Sequence, residues 1–219
     1  MLHSHREVLG RLTRAKVSAL ASTRDSIMAL NIVGVCVHGL GGNLFSTGMD
    51  TLAAELNRIT PVGCHFTVRG GNDPRLEDAT ITSDLLSALV KGATVIYIGH
   101  SLGADSALRF AQAAHNFRLP LICPVDPVSW DSNAQQVVPG RWEVGSNVAR
   151  VIGYRTNAFP GGGRIVLAAG NTATNLTDTT LDVPDASPPS GLDIASSPDV
   201  HAAIIAGVRD VVTQMQTVT

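Results

Sequence analysis

Four short, mostly apolar runs alternate with segments that carry apolar residues every three or four positions. The runs are NIVGVCVH (31–38), PVGCHFTV (61–68), ATVIYIG (93–99) and LPLICPV (119–125). Apolar runs rich in β-branched residues are typical of strands that are covered on both faces. The intervening segments, 47–58, 77–90 and 102–115, have helical spacing. Strands that alternate with helices predict an α/β fold with a mostly parallel sheet, helices on both faces, and a ligand crevice beyond the carboxyl ends of the strands.

The second half of the chain departs from this alternation. Two strand-like segments, 147–157 and 164–171, are separated only by AFPGGG. A parallel crossover needs about a dozen residues or more, so we expect these segments to pair as an antiparallel hairpin near one edge of the sheet. From 171 to 198 the chain is rich in Thr, Asn, Asp, Pro and Ser, which predicts a long loop. The segment 199–216 predicts a closing amphipathic helix.

Length and composition set the bounds on this architecture. A chain of 219 residues with 44% hydrophobic content predicts a single domain over 1–219, in which residues 1–30 form either a helix on the sheet or a mobile leader. The formal net charge of -2 leaves no basic surface for nucleic acid and no polybasic stretch for an anionic membrane. No apolar segment reaches the roughly eighteen residues of a membrane span, and we recognise no signal peptide.

Three cysteines, Cys36, Cys64 and Cys123, each lie within a strand-like run. Their spacing does not match a zinc site, and we expect buried free thiols in a reducing compartment. We predict no metal and no cofactor.

The segment GHSLG (99–103) lies where the third apolar run meets a helix. In a G-x-S-x-G at such a junction, the serine occupies a strained turn that raises its hydroxyl above the sheet. Small residues two positions to either side allow the strand and the helix to approach closely. This context predicts Ser101 as a nucleophile.

A serine nucleophile needs donors for the developing oxyanion. The first strand ends in HGLGG (38–42), a flexible loop predicted to lie beside the serine. We expect the backbone N–H of Leu40 to be one donor and that of Leu102, at the start of the helix, to be the other. The alternative is that these glycines only form a tight strand-to-helix turn.

The serine also needs an acid that orients its base. Asp126 follows the strand after the serine's helix, which predicts that both residues face the same crevice. In the alternative, its carboxylate caps a turn before Pro127. Four further aspartates in the predicted loop stay open as acids: Asp178, Asp182, Asp185 and Asp193.

The base is predicted by elimination among seven histidines. His38 and His100 adjoin the turn glycines, where we expect them to brace the loops. His3 and His5 are in the leader, His65 is within a strand, and His115 is at the far end of the nucleophile helix. His201, between the predicted loop and the last helix, completes the order Ser, Asp, His. The alternative is a surface histidine near a helix start.

With these residues in place, the chain resembles the α/β-hydrolase superfamily, and within it small lipase- and esterase-like members of cutinase size. HGLGG and GHSLG match the oxyanion loop and nucleophile elbow of that superfamily. VDP (125–127) is similar to the pancreatic-lipase-like placement of the acid, and the overall pattern resembles hydrolases of bacteria and their phages. The strands that larger members of the superfamily carry ahead of the first run are absent or replaced by the leader, which predicts a reduced sheet. Because we recognise no signal peptide, we expect a cytoplasmic or phage-associated protein. Trp130 and Trp142 either form a small apolar cap or take part in ordinary packing.

The function predicted from these residues is a serine ester hydrolase, carboxylesterase- or lipase-like, with a small-molecule, lipid-like or polymer-bound ester as substrate. A thioesterase or amidase would use the same catalytic residues. A phage-type cell-envelope esterase is a more specific form of the esterase prediction. A catalytically silent hydrolase-fold binding module is the alternative from a different class. The sequence does not indicate an oligomeric state.

Overall fold

The computed structural model describes residues 30–42, 47–71, 73–131, 136–138, 140–156, 164–181 and 194–217. The helix or leader predicted for residues 1–30 therefore lies almost wholly outside the described residues. A six-stranded sheet forms the centre of the molecule. Its strands are β1 (Ile32–Val37), β2 (Cys64–Arg69), β3 (Thr94–His100), β4 (Leu121–Val125), β8 (Arg150–Thr156) and β10 (Asn175–Leu181). They lie in the order β10-β8-β4-β3-β1-β2, and all their pairings are parallel.

Among the described residues, four α-helices cover the two faces of this sheet. They are α1 (Thr47–Ile59), α2 (Pro74–Val90), α3 (Leu102–Ala113) and α4 (Pro198–Thr217). Apolar residues of α1 and α4 share one buried cluster with the sheet, and those of α2 and α3 share a second. The predicted α/β fold, with a mostly parallel sheet between two helical layers, is confirmed.

The part of the chain that the structure describes also forms two shorter sheets outside the central one. The strands β5 (Ser129–Asp131) and β6 (Gln136–Val138) form an antiparallel pair. The strands β7 (Arg141–Val144) and β9 (Arg164–Leu167) form a parallel pair. The antiparallel hairpin predicted from 147–157 and 164–171 is therefore wrong for those residues. A short connection excludes parallel pairing only between two strands that are neighbours in one sheet. The second strand, β9, instead pairs with β7 outside the central sheet.

The long loop predicted for 171–198 is also partly wrong. Residues 175–181 form β10, which pairs in parallel with β8 at the edge of the sheet. The sequence NLTDTTL is too polar to indicate a covered strand, because an edge strand exposes much of its surface to solvent. An ion pair between Arg155 and Asp178, with N···O of 3.0 Å, joins the two strands.

The tryptophan cap is not formed by Trp142. The residue is only 5% exposed and belongs to the buried cluster that α2 and α3 share with the sheet, and its indole Nε1 donates a 2.7 Å hydrogen bond to the Asp105 carboxylate on α3. The side chain of Trp130 lies outside the described residues. Trp142 therefore contributes to the core rather than covering the crevice.

Candidate active site

Ser101 lies between the last residue of β3 and the first residue of α3, in a backbone conformation that residues other than glycine rarely adopt. Its φ is 55° and its ψ is -116°. Its N–H donates to the Val125 carbonyl at 2.9 Å, and its own carbonyl accepts from Val128 N–H at 3.3 Å. The turn is therefore held by the end of the neighbouring strand β4. Strained backbone of this kind persists only where the surroundings enforce it, and it is concentrated at functional sites.

The two glycines that flank the serine are required by close backbone contacts. A Cβ on Gly99 would lie 2.1 Å from the Gly103 carbonyl oxygen. A Cβ on Gly103 would lie 2.5 Å from the carbonyl oxygen of Val37. The start of α3 is thus pressed against both β3 and β1, which is the close approach that the G-x-S-x-G spacing predicts.

The glycine-rich loop after β1 lies directly beside the serine. A Cβ on Gly39 would be 2.8 Å from Ser101 Cβ. Gly41 and Gly42 both have positive φ, and Gly42 N–H donates to the Gly39 carbonyl at 3.2 Å. Leu40 in this turn is 44% exposed. Leu102 occupies the first position of α3, where a backbone N–H has no partner within the helix. Both predicted oxyanion donors therefore belong to segments that adjoin Ser101.

Asp126 follows β4 and has a positive φ of 48°, so the acid candidate lies in a second strained turn at the same edge of the sheet. Its side chain is 4% exposed. One carboxylate oxygen accepts from Thr156 N–H at 2.9 Å, and Thr156 Oγ1 lies 3.2 Å from both carboxylate oxygens. Burial raises the pKa of Asp126, and the hydrogen bonds from Thr156 oppose this shift. The carboxylate is held by the end of β8 rather than by a turn at Pro127.

Sequence reasoning did not identify Thr156. The available signal was its place at the carboxyl end of the strand next to β4, because the ends of parallel strands meet at one edge.

His201 is in the first turn of α4, and its ring contacts the segment before the helix. Its Nε2 lies 2.5 Å from the Ala195 carbonyl oxygen, and the residue is 9% exposed. A carbonyl can only accept, so Nε2 carries the proton and the lone pair of the neutral ring is on Nδ1. Among Ser101, Asp126 and His201, all of which the structure describes, no hydrogen bond is made. The structure thus brings the serine and the acid to adjacent strand ends but does not join the histidine to either.

The alternative acids have other surroundings. Asp178 is on β10 and is paired with Arg155. Asp182, Asp185 and Asp193 lie outside the described residues. His38, expected to brace a loop, has its Nε2 2.8 Å from Asp50 Oδ2 and so links the end of β1 to α1.

The described residues also bear on metal ions and membranes. Among them, no three side chains of His, Cys, Asp or Glu come together in a group that could hold a metal ion. The helices that the structure describes include none with the length and apolarity needed to cross a membrane. The three cysteines are free thiols; Cys36 and Cys123 are buried as predicted, whereas Cys64 is only partly buried.

Comparison with known proteins finds similarity only among solved structures. No family model matches the chain, and no curated protein matches it. One similar structure is a protein assigned as a hydrolase of the α/β superfamily from Xanthomonas campestris pv. campestris. It is 14% identical, with 84% of this chain and 98% of that chain covered and a TM-score of 0.38. Another belongs to the metagenome-derived lipolytic enzymes LipS and LipT. It is 13% identical, with 83% and 95% covered and a TM-score of 0.45.

Proposed function

We propose that the protein is a serine hydrolase that acts on ester bonds, with Ser101 as its nucleophile. The observation that carries the proposal is the strained backbone of Ser101, with φ of 55° and ψ of -116°, at a strand-to-helix junction. A serine that served only to cap α3 would adopt extended backbone and bond its side chain to the helix. Ser101 makes no such side-chain bond. The strained turn instead leaves its hydroxyl available at the carboxyl edge of the sheet.

The proposed reaction has two steps. Ser101 Oγ attacks the acyl carbon while the base removes its proton, and the N–H groups of Leu40 and Leu102 stabilise the oxyanion. The C–O bond to the alcohol then breaks, the base returns the proton to the leaving oxygen, and an acyl-enzyme forms. Water hydrolyses this intermediate by the same route and releases the acid. Asp126 is the proposed acid that orients the base.

His201 is the proposed base, under a condition set by its present contacts. Its Nε2–H is bonded to the Ala195 carbonyl, whereas a base must present an unprotonated nitrogen to Ser101 Oγ. Its unprotonated Nδ1 must therefore reach Ser101 Oγ when substrate binds, and its Nε2–H must exchange the Ala195 carbonyl for the Asp126 carboxylate. The short 3₁₀ helix Ile194–Ser196, which carries Ala195, is the segment whose movement would allow this exchange.

A fluorophosphonate probe tests the nucleophile directly. Wild-type protein should be labelled at Ser101, and Ser101→Ala should lose both labelling and turnover of p-nitrophenyl butyrate while remaining folded. His201→Ala should lower kcat on the order of 10⁴-fold. Added imidazole should restore part of this activity if the lost group is a base. Near-normal activity in His201→Ala would mean that the base is another residue.

The bond between His201 and Ala195 favours one second candidate, a hydrolase-fold module that binds a ligand without turning it over. In that case the fluorophosphonate should not label the wild-type protein, and no ester, thioester or amide should be hydrolysed. Labelling of Ser101 would exclude this candidate. A thioesterase or amidase would label equally, and a panel of matched butyryl esters, thioesters and amides separates these activities.

A further inference from the structure

A polar pocket of about 390 Å³ lies at the carboxyl ends of β1 and β2, one strand away from the serine. The residues that line it come from both strand ends and from α1 and α2: His38, Asp50, Val68, Arg69, Gly70, Gly71 and Glu77.

The pocket adjoins Ser101 through the glycine-rich loop. The backbone N–H of His38, which lines the pocket, donates to the Arg69 carbonyl at 3.0 Å. The next residue, Gly39, approaches the serine so closely that a Cβ would lie 2.8 Å from Ser101 Cβ. β1 pairs with β3 on one side and with β2 on the other. Neighbouring strands are about 4.8 Å apart. The alcohol portion of an ester bound at Ser101 therefore reaches the pocket by crossing the end of β1 alone.

The charged groups of the pocket are paired with one another. Arg69 lies 3.4 Å from Glu77 and 3.1 Å from Asp84, and His38 is bonded to Asp50. The guanidinium of Arg69 is therefore already matched by carboxylates, which disfavours a phosphate or carboxylate ligand. Val68 is the only apolar side chain in the described lining, which disfavours an acyl chain.

These paired groups keep hydrogen-bonding capacity that a neutral, hydroxyl-rich ligand could use. A carboxylate accepts at about four lone-pair sites and a guanidinium has five N–H donors, so each pair has positions to spare. A hydroxyl both donates and accepts, and it can bridge a carboxylate and a guanidinium. Gly70 and Gly71, which both have positive φ, line the pocket without side chains.

We infer that this pocket binds the polyol portion of the ester, a sugar or a similar alcohol with adjacent hydroxyls, while Ser101 attacks the acyl carbon. The inference rests on the proposed function and names its substrate class. The alcohol leaves from the side of β2, and the acyl group occupies another part of the crevice.

The test compares two butyrate esters that differ only in the alcohol, glucose 6-butyrate and hexyl butyrate. Wild-type protein should have the higher kcat/KM for the sugar ester. Glu77→Ala, a substitution suited to a helix, should lower the ratio of the two kcat/KM values by about tenfold, mainly through KM for the sugar ester. The matched control is Glu143→Gln, because Glu143 is exposed on β7 and pairs only with Arg141 among described residues. This control should keep the wild-type ratio.

A binding measurement separates this inference from the proposed chemistry. In Ser101→Ala protein, saturation-transfer NMR should detect methyl glucoside, and the signal should be lost when Glu77→Ala is added. A wild-type preference for hexyl butyrate, or a ratio unaffected by Glu77→Ala, would overturn the polyol subsite while leaving the hydrolase intact. Glucoside binding that depends on Glu77, without any ester turnover, would retain the subsite and overturn the hydrolase.

Discussion

Replacement of Gly103 by alanine should displace the nucleophile. The added Cβ would lie 2.5 Å from the Val37 carbonyl oxygen and 2.6 Å from that of His38. Both contacts are with backbone, which a side-chain rotation cannot relieve. An ordinary contact begins at 3.4 Å, so α3 and β1 must separate by about 0.9 Å. Ser101 and Leu102 are at the start of α3 and must move with it.

The expected cost appears in both stability and activity. Overpacking of this kind lowers the free energy of unfolding by about 1–3 kcal/mol. A displacement near 1 Å of a catalytic group costs about 10²-fold in rate. We therefore expect kcat/KM for p-nitrophenyl butyrate to fall by about two orders of magnitude. Urea unfolding followed by tryptophan fluorescence measures the stability.

Gly92→Ala is the matched control, at the opposite end of β3. A Cβ at Gly92 meets no atom within 4 Å, but its φ is 82°, which is unfavourable for alanine. We expect a loss of about 1–2 kcal/mol in stability with unchanged kcat/KM. A kcat/KM of Gly103→Ala within about twofold of wild type would refute a displacement of the nucleophile. An equal loss of activity in Gly92→Ala would refute it too, because the loss would then follow from destabilisation alone.

The remaining predictions concern two buried carboxylates. Asp126→Asn should lower kcat by roughly 10³ to 10⁴ with an aryl ester, because an amide stabilises the wrong tautomer of the base; wild-type kcat would exclude Asp126 as the acid. Burial raises the pKa of Asp126 in the folded state above its value in the unfolded chain, which is about 3.9. The contribution of Asp126 to stability is therefore complete below the unfolded pKa and is lost as the pH rises through the folded pKa. Urea titrations should therefore show that the unfolding free energy of wild type minus that of Asp126→Asn decreases as the pH rises above about 4, and an increase would contradict the sign of the shift. Trp142→Phe removes the 2.7 Å hydrogen bond to buried Asp105 and should lower the unfolding free energy, measured in urea, by about 1–3 kcal/mol while leaving kcat/KM unchanged. Unaltered stability would show that the ion pair with Arg109 alone satisfies the carboxylate.

The first half of the fold and the turn at the serine follow from local patterns in the sequence. β1, β3 and β4 are buried strands whose apolar character is continuous, and the helices between them have clear spacing. The five residues 99–103 specify the turn at Ser101, because Gly99 and Gly103 lie too close to other backbone atoms to have a Cβ. Information of this kind is local, and a single sequence contains it.

The partners of the later strands and the direction of the side chains around the serine depend on how the layers pack. β9 pairs with β7 outside the central sheet, and polar β10 becomes an edge strand, because a strand's partner depends on which surfaces remain uncovered. Elimination along the chain selected His201, but its ring direction is set by the carbonyl of Ala195 nearby in space. The pocket of Arg69 and Glu77 joins residues from separate elements, and no spacing in the sequence indicates it. A chain pattern predicts which residues reach the same edge of the sheet, whereas the contacts between them arise only when the layers pack.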